Sequence, residues 1–216
     1  TWGRHQALDE VASRRFGGAL INCMGMASED YWHRPSSPIT RSSDDYLPHS
    51  PESLAEHLMQ NAYCALLMGE LYHCDWDMFW TEHPHARVHA VLRLLSGGPV
   101  YCSDACGRTD ASVLRDLLSE DGTLPRPDEP ARPVIESLLH DPERTDQALG
   151  VAAKFGTERV IAFVGLRQQP QIGIITAGEH PCRIIDEQGM TIDLASGQTH
   201  TCEVACGQLR VFRVQS

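Results

Sequence analysis

Hydrophobic periodicity changes once along this 216-residue chain, across a proline-rich, charged segment at residues 124–133. Before it, apolar residues recur at helical spacing. Leu8, Val11, Ala12 and Phe16 predict a helix over residues 5–16 that Gly17-Gly18 ends. Leu54, Leu58, Ala62 and Leu66 predict a second, with Ser50 as N-cap, Pro51 as first helical residue and an end near residue 68. A third opens at Pro84, carries Val88, Val91, Leu92 and Leu95, and closes at Gly97-Gly98; a fourth covers residues 110–118. Between them, residues 19–24, 39–45, 77–81 and 99–104 read as short strands. Alternating helix and strand predicts a parallel sheet, because parallel neighbours need a crossover long enough to hold a helix.

After the proline-rich segment the pattern becomes short β-type runs broken by glycine: residues 148–155, 159–166, 172–177, 182–186, 190–194, 199–205 and 209–214. Spacing of this kind predicts an antiparallel β-sandwich. Residues 145–155 fit either helix or strand. The expected division is an α/β unit over residues 1–123, a stiff linker over 124–139 and a β-sandwich over 140–216.

Composition narrows the function. A net charge of −11 opposes binding to nucleic acid, whereas a neutral sugar meets no such repulsion. The longest apolar runs, such as residues 160–166, fall well short of the about 20 residues of a membrane span. Most of the eight cysteines sit in apolar segments, which predicts free thiols and a cytoplasmic setting. The pairs Cys102/Cys106 and Cys202/Cys206 lack zinc-site spacing, and His83, His85 and His89 lack the glutamate of H-E-x-x-H. With no G-x-S-x-G elbow or P-loop either, no metal and no cofactor is expected. Thr1 follows no initiator methionine and opens no signal peptide, so the chain reads as part of a longer one.

The predicted strands end in polar residues: Asn22-Cys23, Ser43-Asp44-Asp45, Asp75 with Asp77, and Ser103-Asp104. In a (β/α)8 barrel the active site is built at this end of the strands, and paired carboxylates there suit glycoside cleavage. The competing reading is that these acids are solvated or cap the next helix.

The segment Gly18-Ala19-Leu20-Ile21-Asn22-Cys23-Met24 is followed in order by Arg41-Ser42-Ser43-Asp44-Asp45-Tyr46-Leu47-Pro48, by His57 and Asn61-Ala62-Tyr63, and by Trp76-Asp77-Met78-Phe79. His83-Pro84, His89-Ala90 and Ser96-Gly97-Gly98-Pro99-Val100-Tyr101-Cys102-Ser103-Asp104 complete the set. This ordered series resembles the raffinose synthase and seed-imbibition (Sip-type alkaline α-galactosidase) family, densely over residues 17–133. The resemblance implies a retaining enzyme of α-galactosides, with a (β/α)8 barrel followed by a β-sandwich. It implies that an aspartate in the Arg41–Asp45 segment is the general acid/base; Asp45 fits the Arg-x3-Asp pattern without a gap, with Asp44 as its neighbour and competitor. Strand parity would aim Arg41 and Asp45 at one face.

The family's nucleophile, on a Lys-x-Asp strand, has no counterpart here, since the only lysine is Lys154 in the β-rich part. About four of the eight barrel strands are accounted for, so the expectation is the C-terminal half of a barrel that needs its missing N-terminal half. Arg41 is expected to orient a carboxylate or bind a sugar hydroxyl, and Asp77 and Met78 to line the galactose pocket or cap a loop. Trp76 either stacks on a pyranose or packs in the core. Cys23 either touches substrate or packs, and Asp104 either binds sugar or holds the following loop. Hydrolysis of raffinose-type α-galactosides is the first functional reading. Raffinose synthase-type galactosyl transfer and a non-catalytic carbohydrate-binding chain are the alternatives.

Overall fold

A computed structural model describes residues 2–25 and 27–215. The first unit runs α1 (Trp2–Phe16), β1 (Ile21–Asn22), α2 (Ser28–Tyr31), β2 (Ile39–Arg41), α3 (Ser53–Met68), β3 (His73–Asp75), α4 (Ala86–Ser96) and α5 (Ala111–Arg115). Its strands form a parallel sheet in the order β1-β2-β3, continued by a parallel bridge from Phe79 to Cys102.

Three details differ from the periodicity. The third strand is His73–Asp75, not 77–81, because Asp77 takes the left-handed backbone conformation at φ 60° and interrupts extension. The fourth predicted strand reduces to the Cys102 bridge. Helix α3 starts at Ser53 rather than at Pro51, and Ser50 does not cap it; its hydroxyl bonds the Glu52 carboxylate instead.

The second unit holds β4 (Glu129–Pro133), α6 (Ile135–Leu138), β5 (Leu149–Phe155), β6 (Glu158–Val164), β7 (Gln171–Thr176), β8 (Cys182–Asp186), β9 (Thr191–Leu194), β10 (Thr199–Val204) and β11 (Leu209–Gln215). A six-stranded antiparallel sheet, ordered β4-β5-β6-β11-β8-β9, packs against the antiparallel pair β10-β7. The ambiguous stretch before Phe155 is strand β5. The segment expected to be a linker carries β4, which tolerates Pro130 and Pro133 because it lies at the sheet edge, where a missing N–H interrupts no inner ladder.

Strand β5 explains why the two units share a core. Leu149, Val151 and Ala153 face α3 and α4, packing with Leu58, Leu92 and Leu95, while Ala148 and Ala152 face the opposite core with Ile175 and Val204. Both faces are buried over residues 149–153, so this stretch is Leu-Gly-Val-Ala-Ala, apolar or small throughout rather than alternating with polar residues. Polar contacts add to the join: Tyr63 Oη donates to the Ser137 carbonyl at 2.8 Å, and His85 Nδ1 lies 3.1 Å from the Gly207 carbonyl. All eight cysteines are free thiols, and no helix among the described residues is long and apolar enough to cross a membrane.

Candidate active site

Strands β2 and β3 run parallel with Arg41 in register with Asp75, so the last residues of both arrive side by side. Arg41 Nε lies 3.3 Å from Asp75 Oδ2, its Nη2 lies 2.9 Å from Asp77 Oδ1, and its Nη1 lies 2.9 Å from Asp45 Oδ1. One guanidinium therefore gathers three carboxylates, from the end of β3 and from the loops after β2 and β3. Burial alone would lower the Arg41 pKa, but Asp77 and Asp75 outweigh it and hold the guanidinium above its ordinary value. Arg41 is charged at every accessible pH.

The three acids differ sharply in environment. Asp75 is fully buried; besides Arg41 it accepts from Tyr101 Oη at 3.1 Å and from the Asp77 N–H at 3.0 Å. Burial first, and the negative Asp75 and Asp77 second, push the Tyr101 phenol up to about 12, so it stays a donor. Asp77 is buried and accepts from the Tyr46 N–H at 2.8 Å and the Met78 N–H at 2.7 Å. Among the described residues Asp45 is held only by Arg41, and 79% of its side chain is exposed. It is the carboxyl of the three that an incoming ligand can reach.

Asp44, beside it, belongs to a different contact. Its N–H donates to Gln60 Oε1 at 2.8 Å and its carboxylate accepts from Gln60 Nε2 at 3.1 Å, both on α3. The separation of the two acids arises in a loop rather than by strand parity, since β2 ends at Arg41.

The loops are fixed from below by α3. His57 Nε2 lies 2.9 Å from the Trp76 carbonyl and its Nδ1 3.2 Å from Ser43 Oγ, while Asn61 Oδ1 accepts from the Ser42 hydroxyl. The neutral imidazole, which also meets Asn61 Nδ2 at 3.1 Å and Arg93 Nη2 at 3.3 Å through Nε2, ties the loop after β2 to the loop after β3. Burial, then the nearby Arg93 charge, keeps His57 neutral by depressing its pKa to about 3.

The other expected site residues fare variously. Met78 lies next to Asp77, and its sulfur accepts from Ser103 Oγ. Cys23 is exposed one residue beyond β1, and no hydrogen bond among the described residues links it to the Arg41 group. Asp104 accepts from the Thr81 N–H at 2.7 Å and hydroxyl at 2.8 Å. Burial would raise its pKa, but these bonds outweigh it and hold the carboxyl below its usual range, so Asp104 holds a loop. Trp76 is fully enclosed in the core with Leu58 and Leu92, which removes it from any stacking role.

Asp75 is visible as a strand-end acid, and Tyr101, His57 and Asn61 fall within the family-like motifs without an assigned role, whereas Arg93 carries no sequence signal. His89, Arg93 and Ser96 are polar, yet all three are buried on α4.

The family described as raffinose synthase or seed imbibition protein Sip1 matches residues 1–155. The chain belongs to this family. It is similar to the probable galactinol–sucrose galactosyltransferase 6 of Arabidopsis thaliana, 37% identical over 146 residues, covering 67% of this chain and 20% of that protein. It is similar to the galactinol–sucrose galactosyltransferase of Oryza sativa subsp. japonica, 48% identical over 86 residues, covering 40% and 11%. The stachyose synthase of Pisum sativum is 36% identical over 111 residues, covering 51% and 12%. This raffinose synthase family chain thus spans about a fifth, or less, of the curated relatives it matches.

Among solved structures, a GH27 β-L-arabinopyranosidase from Geobacillus stearothermophilus superposes with a TM-score of 0.70 at 13% identity, over 100% of this chain and 54% of that one. The α-galactosidase I of Mortierella vinacea gives 0.65 at 11% identity over 99% and 62%. The family member shares their α/β glycosidase-like fold.

Proposed function

We propose that this chain is the C-terminal half of a (β/α)8 barrel with its β-sandwich, and that it supplies the acid/base side of a retaining α-galactoside-processing enzyme. The observation that carries the reading is the Arg41 cluster: two buried acids and one open acid held at the C-terminal ends of adjacent parallel strands. In this reading Asp45 is the general acid/base and Asp44 its neighbour, while Arg41, Asp77 and Met78 face the galactosyl ring. Cys23, open at the end of β1, lies on the same rim. The nucleophile comes from a strand in polypeptide beyond this chain. Superposition on about half of longer glycosidase chains supports that division of the barrel.

Asp45 would donate a proton to the departing oxygen and then take one from the acceptor that attacks the galactosyl-enzyme. Water or a second sugar can fill the acceptor role. The names of the curated relatives favour a sugar acceptor, with galactinol as donor and sucrose as acceptor. Hydrolysis is the second reading, favoured by the α-galactosidases of like fold.

Product analysis of the complete protein separates them. Raffinose formed from galactinol plus sucrose supports transfer; free galactose from raffinose alone supports hydrolysis. A complete protein that binds galactose but turns over neither substrate would be a carbohydrate-binding chain, and the catalytic reading would fall.

A further inference from the structure

Directly beneath the Arg41 cluster lies a second arginine whose partners are all neutral. Arg93, on α4, is fully buried. Its Nε donates to the Asp77 carbonyl at 2.7 Å and its Nη2 to the Met78 carbonyl at 2.9 Å. Its Nη1 donates to His89 Nδ1 at 2.9 Å and to the His89 carbonyl at 3.1 Å, and its guanidinium carbon lies 5.3 Å from the Phe79 ring centre. Burial lowers its pKa to about 10, so it remains a cation at neutral pH. The nearby Asp77 and Asp75 charges favour the cation, but a buried charge without a direct ion pair is unfavourable unless its donors are used. Here the planar fork spans two successive carbonyls, which a point-like ammonium cannot match.

Those carbonyls belong to the turn that needs holding. Asp77 has φ 60°, a region that non-glycine residues keep only where their surroundings over-determine it. The Tyr46 and Met78 amides and Arg41 fix its carboxylate from above, whereas Arg93 fixes its backbone from below.

We propose that Arg93 is a positioning residue: it locks the Asp77-Met78 turn in its left-handed form and so sets the Asp77 carboxylate toward the galactosyl ring. The assignment deepens the galactoside reading above and rests on it.

The test uses the complete protein with Arg93→Lys and Arg93→Met, assayed on raffinose and on an aryl α-galactoside. Loss of a ring contact made equally in ground and transition states raises KM about tenfold on both substrates with kcat within about twofold. Arg93→Lys shows the smaller rise and carries the test if Arg93→Met does not fold. A fall in kcat at unchanged KM, the mark of fewer folded molecules, overturns the proposal.

Melting temperatures of Arg93→Met, Asp77→Gly and the double variant give a second readout, independent of activity. Glycine takes the left-handed form without help, so Arg93→Met lowers the melting temperature less in the Asp77→Gly background. Additive shifts overturn the clamp. Non-additive shifts in a protein inactive on every α-galactoside keep the clamp and sink only the galactoside reading.

Discussion

At the residue scale, the site depends on environments that neighbouring positions do not share. Asp44 and Asp45 are adjacent in sequence, yet one is paired with Gln60 and the other with Arg41. Asp45→Ala in the complete protein should slow turnover of natural galactosides by about 10²–10⁴-fold, the usual contribution of proton transfer, and slow galactosylation by aryl galactosides with good leaving groups much less. Added azide should restore turnover; rescue of Asp44→Ala but not of Asp45→Ala would transfer the role to Asp44. Two buried histidines should make the fold sensitive to acid. Burial, then Arg93, holds His57 at about 3 and His89 well below the ordinary 6.5. The unfolded chain therefore binds more protons below about pH 6.5, so the His57 contribution is complete above that pH and is lost as pH falls toward 3, by up to about 1.4 kcal/mol per unit, and His89 acts in the same direction. Denaturant midpoints measured from pH 7 to pH 4.5 should fall steadily, and His57→Asn should flatten the slope. An unchanged slope would mean that other groups govern acid stability.

At the scale of elements, close approach decides the join between α4 and β3. Gly97 ends α4 in the left-handed conformation at φ 69°, and a Cβ on Gly98 would sit 1.9 Å from the Cys74 carbonyl oxygen. Two glycines are needed for two reasons, one conformational and one steric. Gly98→Ala forces β3 and α4 apart and should cost about 1–3 kcal/mol or more, since neither backbone can yield alone. Chemical denaturation of the variant checks this, and a loss below about 0.5 kcal/mol, an ordinary surface effect, would show that the two elements can shift.

At the scale of the whole molecule, the parallel unit is closed on one side and open on the other. Its α3 and α4 are sealed against β5, but α1 presents Leu8 at 63%, Val11 at 51% and Phe16 at 64% exposure, and β1 is the edge of its sheet. An apolar helix face beside an unpaired edge favours association. The 216-residue chain by itself should therefore self-associate with concentration in sedimentation experiments, and Leu8→Glu with Val11→Glu should return it to a monomer. A monomer at every concentration would show that this face needs no cover.

What was legible in the sequence follows from local physics. Helical spacing of apolar residues located α1, α3 and α4; in α3 and α4 that face meets the core, whereas in α1 it stays largely exposed. Glycine-bounded runs located β5 to β11 because strands are short and turns need special backbone angles. Arg41, Asp45 and Asp77 were visible as polar residues near strand ends, and the tertiary structure joins them in one ion cluster. Only that structure could decide the rest. Parallel register puts Asp75 beside Arg41, two clamps from different elements hold Asp77 left-handed and so end β3 early, and an edge position turns a proline-rich stretch into β4. The roles of Arg93 and His57 lay hidden for the same reason. A polar side chain on a helix shows no role until a neighbouring loop is seen to offer carbonyls to it.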